Sequence, residues 1–158
     1  MTGVRRIEGD LAARDARIAI VAARFNDFVV ERLVQGALDA LLRHGAAEQN
    51  LELVRVPGCF DMPLAVRRLA QSRRYDAIVA LGAVIKGETA HFDYVAGECA
   101  AGLARAAADT GVPVGFGVLT CQTMEQAIDR AGGKAGNKGA DAALAALEMS
   151  NLLKRLEP

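Results

Sequence analysis

A chain of 158 residues, 52% of them hydrophobic, suits a single domain with a sizeable core. Its 19 basic and 19 acidic residues cancel, and with 4% aromatics and no Trp it shows neither the basic stripe nor the aromatic platform of a nucleic-acid binder. No apolar run approaches the roughly 18 residues of a membrane span, and the charged opening MTGVRRIEGDLAARDAR lacks an apolar signal core.

Residues 1–16 are polar and read as an arm or loosely ordered tail, leaving 17–158 as the folded domain. Arg17 to Phe25 reads as a buried strand. From Phe28 to His44 the apolar positions Val30, Leu33, Val34, Ala37, Leu38, Leu41 and Leu42 have helical spacing, and Gly45 is a suitable stop. Leu51 to Val56 alternates as a strand, and Pro63 to Arg73 is a short helix with Pro in its first turn. Tyr75 to Ile85 is a nearly continuous apolar strand. A helix then runs from Thr89 or Ala90 to Asp109 and is closed by Gly111 and Pro113. Val112 to Thr120 is a fourth strand, and Thr123 caps a short helix to Ala131, with Gln126 placed for a capping box. Gly132 to Gly139 is a loop, and Ala140 to Leu156 is the last helix.

Apolar strands alternating with helices predict a mainly parallel sheet covered on both faces, a three-layer α/β/α sandwich of flavodoxin-like layout. In such sheets ligands bind outside the carboxyl ends of the strands, so those ends are where chemistry is sought.

The first strand ends at Phe25-Asn26. Phe25 reads either as a lid packed on a helix or as a flat face for stacking a ring. The second ends at Pro57-Gly58-Cys59-Phe60-Asp61-Met62-Pro63. Gly58 frees backbone groups for close approach, and Phe60 offers a second ring face. Asp61 is either a helix cap or a carboxylate for ligand hydroxyls. The third ends at Val84-Ile85-Lys86-Gly87-Glu88-Thr89, followed by His91 in the first turn of a helix. That turn is neither a Walker A loop nor a GxGxxG fingerprint, yet its backbone and the Thr89 hydroxyl make a possible anion pocket. A helix N-terminus favours the neutral imidazole, so of the two histidines, His44 and His91, the latter is the candidate acid–base group.

Phe116 lies between Gly115 and Gly117 in the fourth strand and reads either as core or as a ligand contact. Between Arg130 and Gly139, three cations (Arg130, Lys134, Lys138) and four glycines precede a helix that Asn137 is placed to cap, which suits a phosphate or a solvated basic loop. Cys59, Cys99 and Cys121 form no metal-binding spacing and read as reduced thiols of a cytoplasmic protein.

Five segments carry a resemblance: RFNDF at 24–28, VPGCFDMP at 56–63, LGAVIKGETAHFDYV at 81–95, PVGFGVLT at 113–120 and EQAIDRAGGKAGNKG at 125–139. In order and spacing the chain resembles the 6,7-dimethyl-8-ribityllumazine synthase family from about Arg17 to its C-terminus. The family condenses 5-amino-6-ribitylaminouracil with 3,4-dihydroxy-2-butanone 4-phosphate, the penultimate step of riboflavin biosynthesis, with no metal and no organic cofactor.

The resemblance implies that Phe25 stacks on the pyrimidine and that the backbone at Cys59, Phe60, Val84 and Ile85 reads the uracil edge. Asp61 would bind ribityl hydroxyls. Gly87, Glu88 and Thr89 would lie beside the phosphate, paired by Arg130, with His91 shuttling protons and Lys138 near the ligand. Phe116 would come from a neighbouring subunit. Family members form pentamers, some with the N-terminal arm paired to a neighbour's sheet and some as twelve pentamers in a hollow shell. The compact loop after Arg130 permits such a shell. The chain departs from the family at Asp61, where Glu is usual, and at Lys86, often Arg in relatives. A flavin-binding flavodoxin-like domain would instead carry a Ser/Thr-rich phosphate loop where Arg24-Phe25-Asn26 stands. A shell-forming or flavin-binding paralogue with weak activity is the other alternative, and Asp61 is the residue that bears on it.

Overall fold

A computed structural model of the protein describes residues 3–157. Four strands, β1 (Ile18–Ala23), β2 (Leu51–Val56), β3 (Ala77–Ile85) and β4 (Val114–Cys121), form a parallel sheet in the order β2-β1-β3-β4. Ile18 stands opposite both Leu51 and Ala77, and Ile85 opposite Cys121. The helices are α1 (Asp27–Arg43), α2 (Met62–Gln71), α3 (His91–Thr110), α4 (Met124–Arg130) and α5 (Lys138–Leu156).

The two-residue period of the strands sorts side chains to two cores. Ile18, Ile20 and Ala22 of β1 with Val79, Leu81 and Ala83 of β3 meet α1, α4 and α5. Ala19, Val21 and Ala23 with Ile78, Ala80 and Val84 meet α2 and α3. β1 and β3 are buried on both faces, which explains their unbroken apolar runs. The predicted α/β/α sandwich is therefore the observed one.

From β1 the chain moves outward through α1 to β2, then crosses back through α2 to β3 and on through α3 to β4. Reversing direction along the sheet switches the covering face, as right-handed crossovers demand. The reversal leaves a crevice at the carboxyl ends of β1 and β3.

Two segments differ from their sequence reading. The loop expected at 132–139 contains an antiparallel hairpin, β5 (Ala131–Gly133) and β6 (Gly136–Asn137), and α5 starts at Lys138. Gly132 and Gly136 supply the positive φ values of 98° and 84° that so tight a ribbon needs. Asn137 caps α5 as expected, accepting the Gly139 and Ala140 N–H groups at 2.9 and 3.1 Å. The N-terminal segment carries no helix or strand from Gly3 to Arg17, but it is pinned to α5. Asn151 donates to the Asp10 and Ala12 carbonyls, and Arg155 to the Glu8 carbonyl and the Asp10 carboxylate. Of the expected arm, residues 1 and 2 lie outside the described part.

Candidate active site

The site grows from three strand exits. After β1 the chain stays paired to the segment beyond β2, with Arg24 N–H donating to the Val56 carbonyl at 2.8 Å and Phe25 N–H to the Pro57 carbonyl at 3.0 Å. Asn26 takes a left-handed conformation, φ 63°, and its amide donates to the Ala83 carbonyl at 2.9 Å, tying this turn to β3. Phe25 is thereby held out of the core, 66% exposed. Its ring lies across Gly58: a Cβ built at that glycine would stand 2.7 Å from Phe25 Cδ2, so no other residue fits without moving the ring.

After β2, residues Cys59–Asp61 make one 3₁₀ turn. Asp61 Oδ2 accepts the Gly58 N–H at 3.1 Å, and Asp61 N–H donates to the Gly58 carbonyl at the same distance. The carboxylate closes this turn rather than capping α2, to which it makes no cap hydrogen bond. Phe60 projects outward, 62% exposed, while Cys59 is buried.

After β3, Val84 and Ile85 end the strand, and residues 86–90 lead to α3. Lys86 N–H donates to the Cys121 carbonyl at 2.9 Å, which holds the start of this connection against β4. Lys86, Gly87, Glu88 and Thr89 are exposed, and Thr89 Oγ1 accepts the His91 N–H at 3.4 Å. His91 is the first residue of α3.

The exits of β1 and β2 and the first turn of α3 enclose a cavity of about 410 Å³ lined by Phe25, Gly58, Cys59, Phe60, Asp61, His91, Tyr94 and Val95, whereas Val84, Ile85, Lys86, Gly87, Glu88 and Thr89 do not line it. Five of the predicted residues thus share one wall-to-wall space, with the Val84–Thr89 connection leading into the helix that carries His91. The buried Cys59 thiol accepts a hydrogen bond from Cys99, which lowers its pKa from the usual thiol value against the opposing effect of burial. Nothing in the sequence singles out Tyr94 and Val95, although both follow His91 by one helical turn and so share its face.

Phe116, Arg130 and Lys138 do not join this cavity. They line a second recess of about 430 Å³ at the β4 edge, together with Thr120, Cys121, Ala135 and Asp141. Arg130 is oriented by donating to the Gln126 carbonyl at 3.0 Å. Burial raises the Cys121 thiol pKa, and the Arg130 charge opposes that shift. The glycines beside Phe116 serve packing on the other face: a Cβ at Gly115 would stand 2.2 Å from the Ala142 carbonyl oxygen of α5. Phe116 itself is 43% exposed, so the core reading does not hold for it. A single chain therefore carries two separate groups of predicted site residues. Among the described residues no group of three His, Cys, Asp or Glu side chains is arranged to hold a metal ion.

The fold and the crevice define a class, an α/β/α protein with a cavity at the switch point of a parallel sheet. Residues 15–154 match the family model described as 6,7-dimethyl-8-ribityllumazine synthase. The chain is 62% identical over 151 residues to a protein of that name from Halorhodospira halophila, covering 95% of this chain and 97% of that protein. It is 59% identical over 155 residues to another from Edwardsiella ictaluri, covering 98% and 99%. A third, from Chloroherpeton thalassium, is 54% identical over 153 residues, covering 97% and 99%. The chain belongs to the 6,7-dimethyl-8-ribityllumazine synthase family, enzymes of riboflavin biosynthesis.

Proposed function

We propose that this protein condenses 5-amino-6-ribitylaminouracil with 3,4-dihydroxy-2-butanone 4-phosphate, and that the cavity between β1 and α3 is where it does so. The observation that carries the assignment of the site is the convergence of Phe25, Phe60, Asp61 and His91 on one cavity. The pyrimidine stacks on Phe25, with the backbone at Cys59, Phe60, Val84 and Ile85 reading its polar edge. Asp61 accepts ribityl hydroxyls, and Gly87, Glu88 and Thr89 border the phosphate at the start of α3.

The primary amine attacks the ketone and expels water to give a Schiff base. Loss of a proton and of phosphate leaves an enol, which tautomerises to a ketone. The ribityl-bearing amine then attacks that ketone, and a second water leaves as the ring closes. No step needs a protein nucleophile, and holding two substrates together supplies much of the rate. His91 takes and returns the protons.

Phe116, Arg130 and Lys138 complete the site from a neighbouring subunit. Two half-sites on different faces of one chain suit a head-to-tail contact, which closes into a ring. The apolar groove of about 510 Å³ beside β4, lined by Ala107, Val114, Phe116 and Met149, supports the same reading, because β4 is an unpaired sheet edge. We assign a pentamer, with the compact β5–β6 hairpin compatible with a shell of twelve, in the cytoplasm. Neither nucleic acid nor membrane is a partner in this reading. Among the described residues no helix is long and apolar enough to cross a membrane.

The test is to mix the purified protein with both substrates and follow lumazine absorbance. Product formation is expected; no product, with flavin binding retained, overturns the enzyme assignment in favour of a binding paralogue. Sedimentation gives the assembly, and a monomer that is fully active would remove Phe116, Arg130 and Lys138 from the site.

A further inference from the structure

Asn26 opens α1, and it breaks two local rules in doing so. The residue that caps a helix start is usually extended and uses its side-chain oxygen to accept an N–H of the first turn. Asn26 is left-handed instead, at φ 63° and ψ 39°, and its side chain makes no cap hydrogen bond. Its backbone carbonyl does take the Val29 and Val30 N–H groups, both at 3.0 Å, so the helix starts there all the same. The side-chain amide goes elsewhere, donating to the Ala83 carbonyl of β3 at 2.9 Å. A left-handed backbone and an unmade cap are not what helix stability alone selects, and such departures are where a function is to be sought.

The neighbour of Asn26 is Phe25, the ring proposed to stack on the pyrimidine. On the β2 side the Phe25 N–H donates to the Pro57 carbonyl at 3.0 Å, and the ring lies over Gly58. On the β3 side the tie is the Asn26 amide. Ala83 directly precedes Val84 and Ile85, whose backbone is proposed to read the uracil edge. One side chain thus joins the stacking face to the strand end that carries the edge-reading groups.

We propose that Asn26 is a positioning residue for the pyrimidine substrate: its amide fixes the Phe25 platform against the end of β3, so that the stacking ring and the edge-reading backbone keep one spacing. The role rests on the pyrimidine site proposed above. It gives Asn26 no contact with the substrate and no part in proton transfer. Stacking and edge hydrogen bonds must be satisfied together, and a platform free to drift satisfies one at the expense of the other.

Asn26→Asp isolates the amide. Asp tolerates the same left-handed backbone, is as good a helix cap as Asn, and carries a charge that suits a helix N-terminus, so α1 is spared. Its carboxylate cannot donate, and against the Ala83 carbonyl it sets an acceptor facing an acceptor.

The test compares wild type, Asn26→Asp, Phe25→Ala and the double variant, each as the full chain in its native assembly. The readouts are titration with 6-ribitylaminouracil, which lacks the reactive 5-amine, the KM for each substrate and the melting temperature. Asn26→Asp is expected to weaken the analogue and raise KM for the ribityl substrate at least several-fold, with KM for the phosphate substrate held within about twofold. In the Phe25→Ala background the same substitution should change analogue binding by less than about twofold. If Asn26→Asp fails to fold, Asn26→Gly, which adopts positive φ freely, takes its place with the same expectations. Equal rises in both KM values, or a loss of analogue binding that persists without the ring, would make Asn26 a structural residue only and overturn the proposal. So would an unchanged analogue affinity in a folded variant. A wild type that makes no lumazine, yet binds the analogue through the coupled Phe25–Asn26 pair, overturns the enzyme assignment alone.

Discussion

The Asp61 carboxylate is bonded back to the Gly58 N–H at 3.1 Å, so the side chain proposed to hold the ribityl group also closes the turn that delivers it. The turn backbone is closed a second time by the Asp61 N–H on the Gly58 carbonyl. We expect Asp61→Ala to cost about 1 kcal/mol of stability, the worth of one hydrogen bond in a partly exposed turn. KM for the ribityl substrate should rise several-fold while KM for the phosphate substrate stays unchanged. Asp61→Glu, whose carboxylate reaches back to an N–H three residues earlier in the same way, should keep both the turn and the ribityl contact. Steady-state kinetics with each substrate varied in turn, together with thermal unfolding, checks both. Equal rises in the two KM values would mean that the carboxylate acts only on the turn.

Gly58 is the seat on which the Phe25 ring rests. At φ −147° its backbone suits any residue, so the constraint is purely one of contact. Gly58→Ala places a methyl 2.7 and 3.0 Å from two ring carbons. The ring is exposed and free to swing away, so the loss of stability should be small, at or below about 1 kcal/mol. Binding of a pyrimidine analogue should nevertheless weaken several-fold. In the Phe25→Ala background the same glycine substitution should have almost no further effect, since the two residues act through one contact. Additive losses in a titration of the four proteins would contradict that coupling.

Most of this architecture was legible because it rests on local chemistry. The buried runs of β1 and β3, the Asn137 cap and the Pro63 start of α2 all carry their reasons within a few residues. Phe25 and His91 stood out through position at strand ends and helix starts. The hairpin at 131–137 reads as a loop in the sequence because two glycines at positive φ create it, and a glycine does not announce its φ. Tyr94 does not stand out, because a tyrosine inside an Ala-rich helix carries no local sign of the cavity it lines. The packing of α3 on the 3₁₀ turn after β2 is not legible for a different reason: the two are far apart along the chain, and only the fold brings them together. The division of the proposed site into two groups has the same origin. Phe116 and Arg130 reach the β4 edge through the order of strands in the sheet.

Tyr75 links the same sheet to alkaline stability. Its phenol donates to Glu52 Oε1 at 2.5 Å, from the segment just before β3 to β2. Burial first, then the hydrogen bond and charge of Glu52, raise its pKa above the ordinary value near 10. Folding therefore favours the protonated phenol. The associated stability is whole below the unfolded-chain pKa and is lost as pH climbs from there through the higher folded value. Tyr75→Phe should cost about 1 kcal/mol at neutral pH and flatten the fall in melting temperature as pH climbs above about 10. An unchanged alkaline limb would assign that fall to other groups.

His91 begins α3 at the mouth of the cavity, bonded through its backbone to Thr89 and with its side chain exposed. A side chain that relays protons but carries little of the binding has a distinctive kinetic signature. His91→Ala should lower kcat roughly tenfold to a hundredfold, the low end of general acid–base effects, because proximity supplies the rest. The dissociation constant of a substrate analogue should change less than about twofold. Single-turnover kinetics and analogue titration separate the two. Equal losses in rate and binding would make His91 a binding group.

Arg130 tests whether the second recess belongs to the same site. Its guanidinium is held by the Gln126 carbonyl and stands near Lys138, Asp141 and Cys121 on the β4 edge. A fork of donors fixed in this way pairs with a phosphate at two points, which a lysine cannot reproduce. Arg130→Ala should raise KM for the phosphate substrate at least tenfold and leave KM for the ribityl substrate within about twofold. Arg130→Lys should recover only part of the loss, and added salt should weaken the wild type more than the alanine variant, since the attraction removed is a screened one. The site is shared in this reading, so mixing Arg130→Ala with an Asp61→Ala protein that is itself impaired should restore activity at interfaces that combine two intact half-sites. No recovery on mixing, in assemblies shown to have exchanged subunits, would mean that Arg130 serves the cavity of its own chain or none.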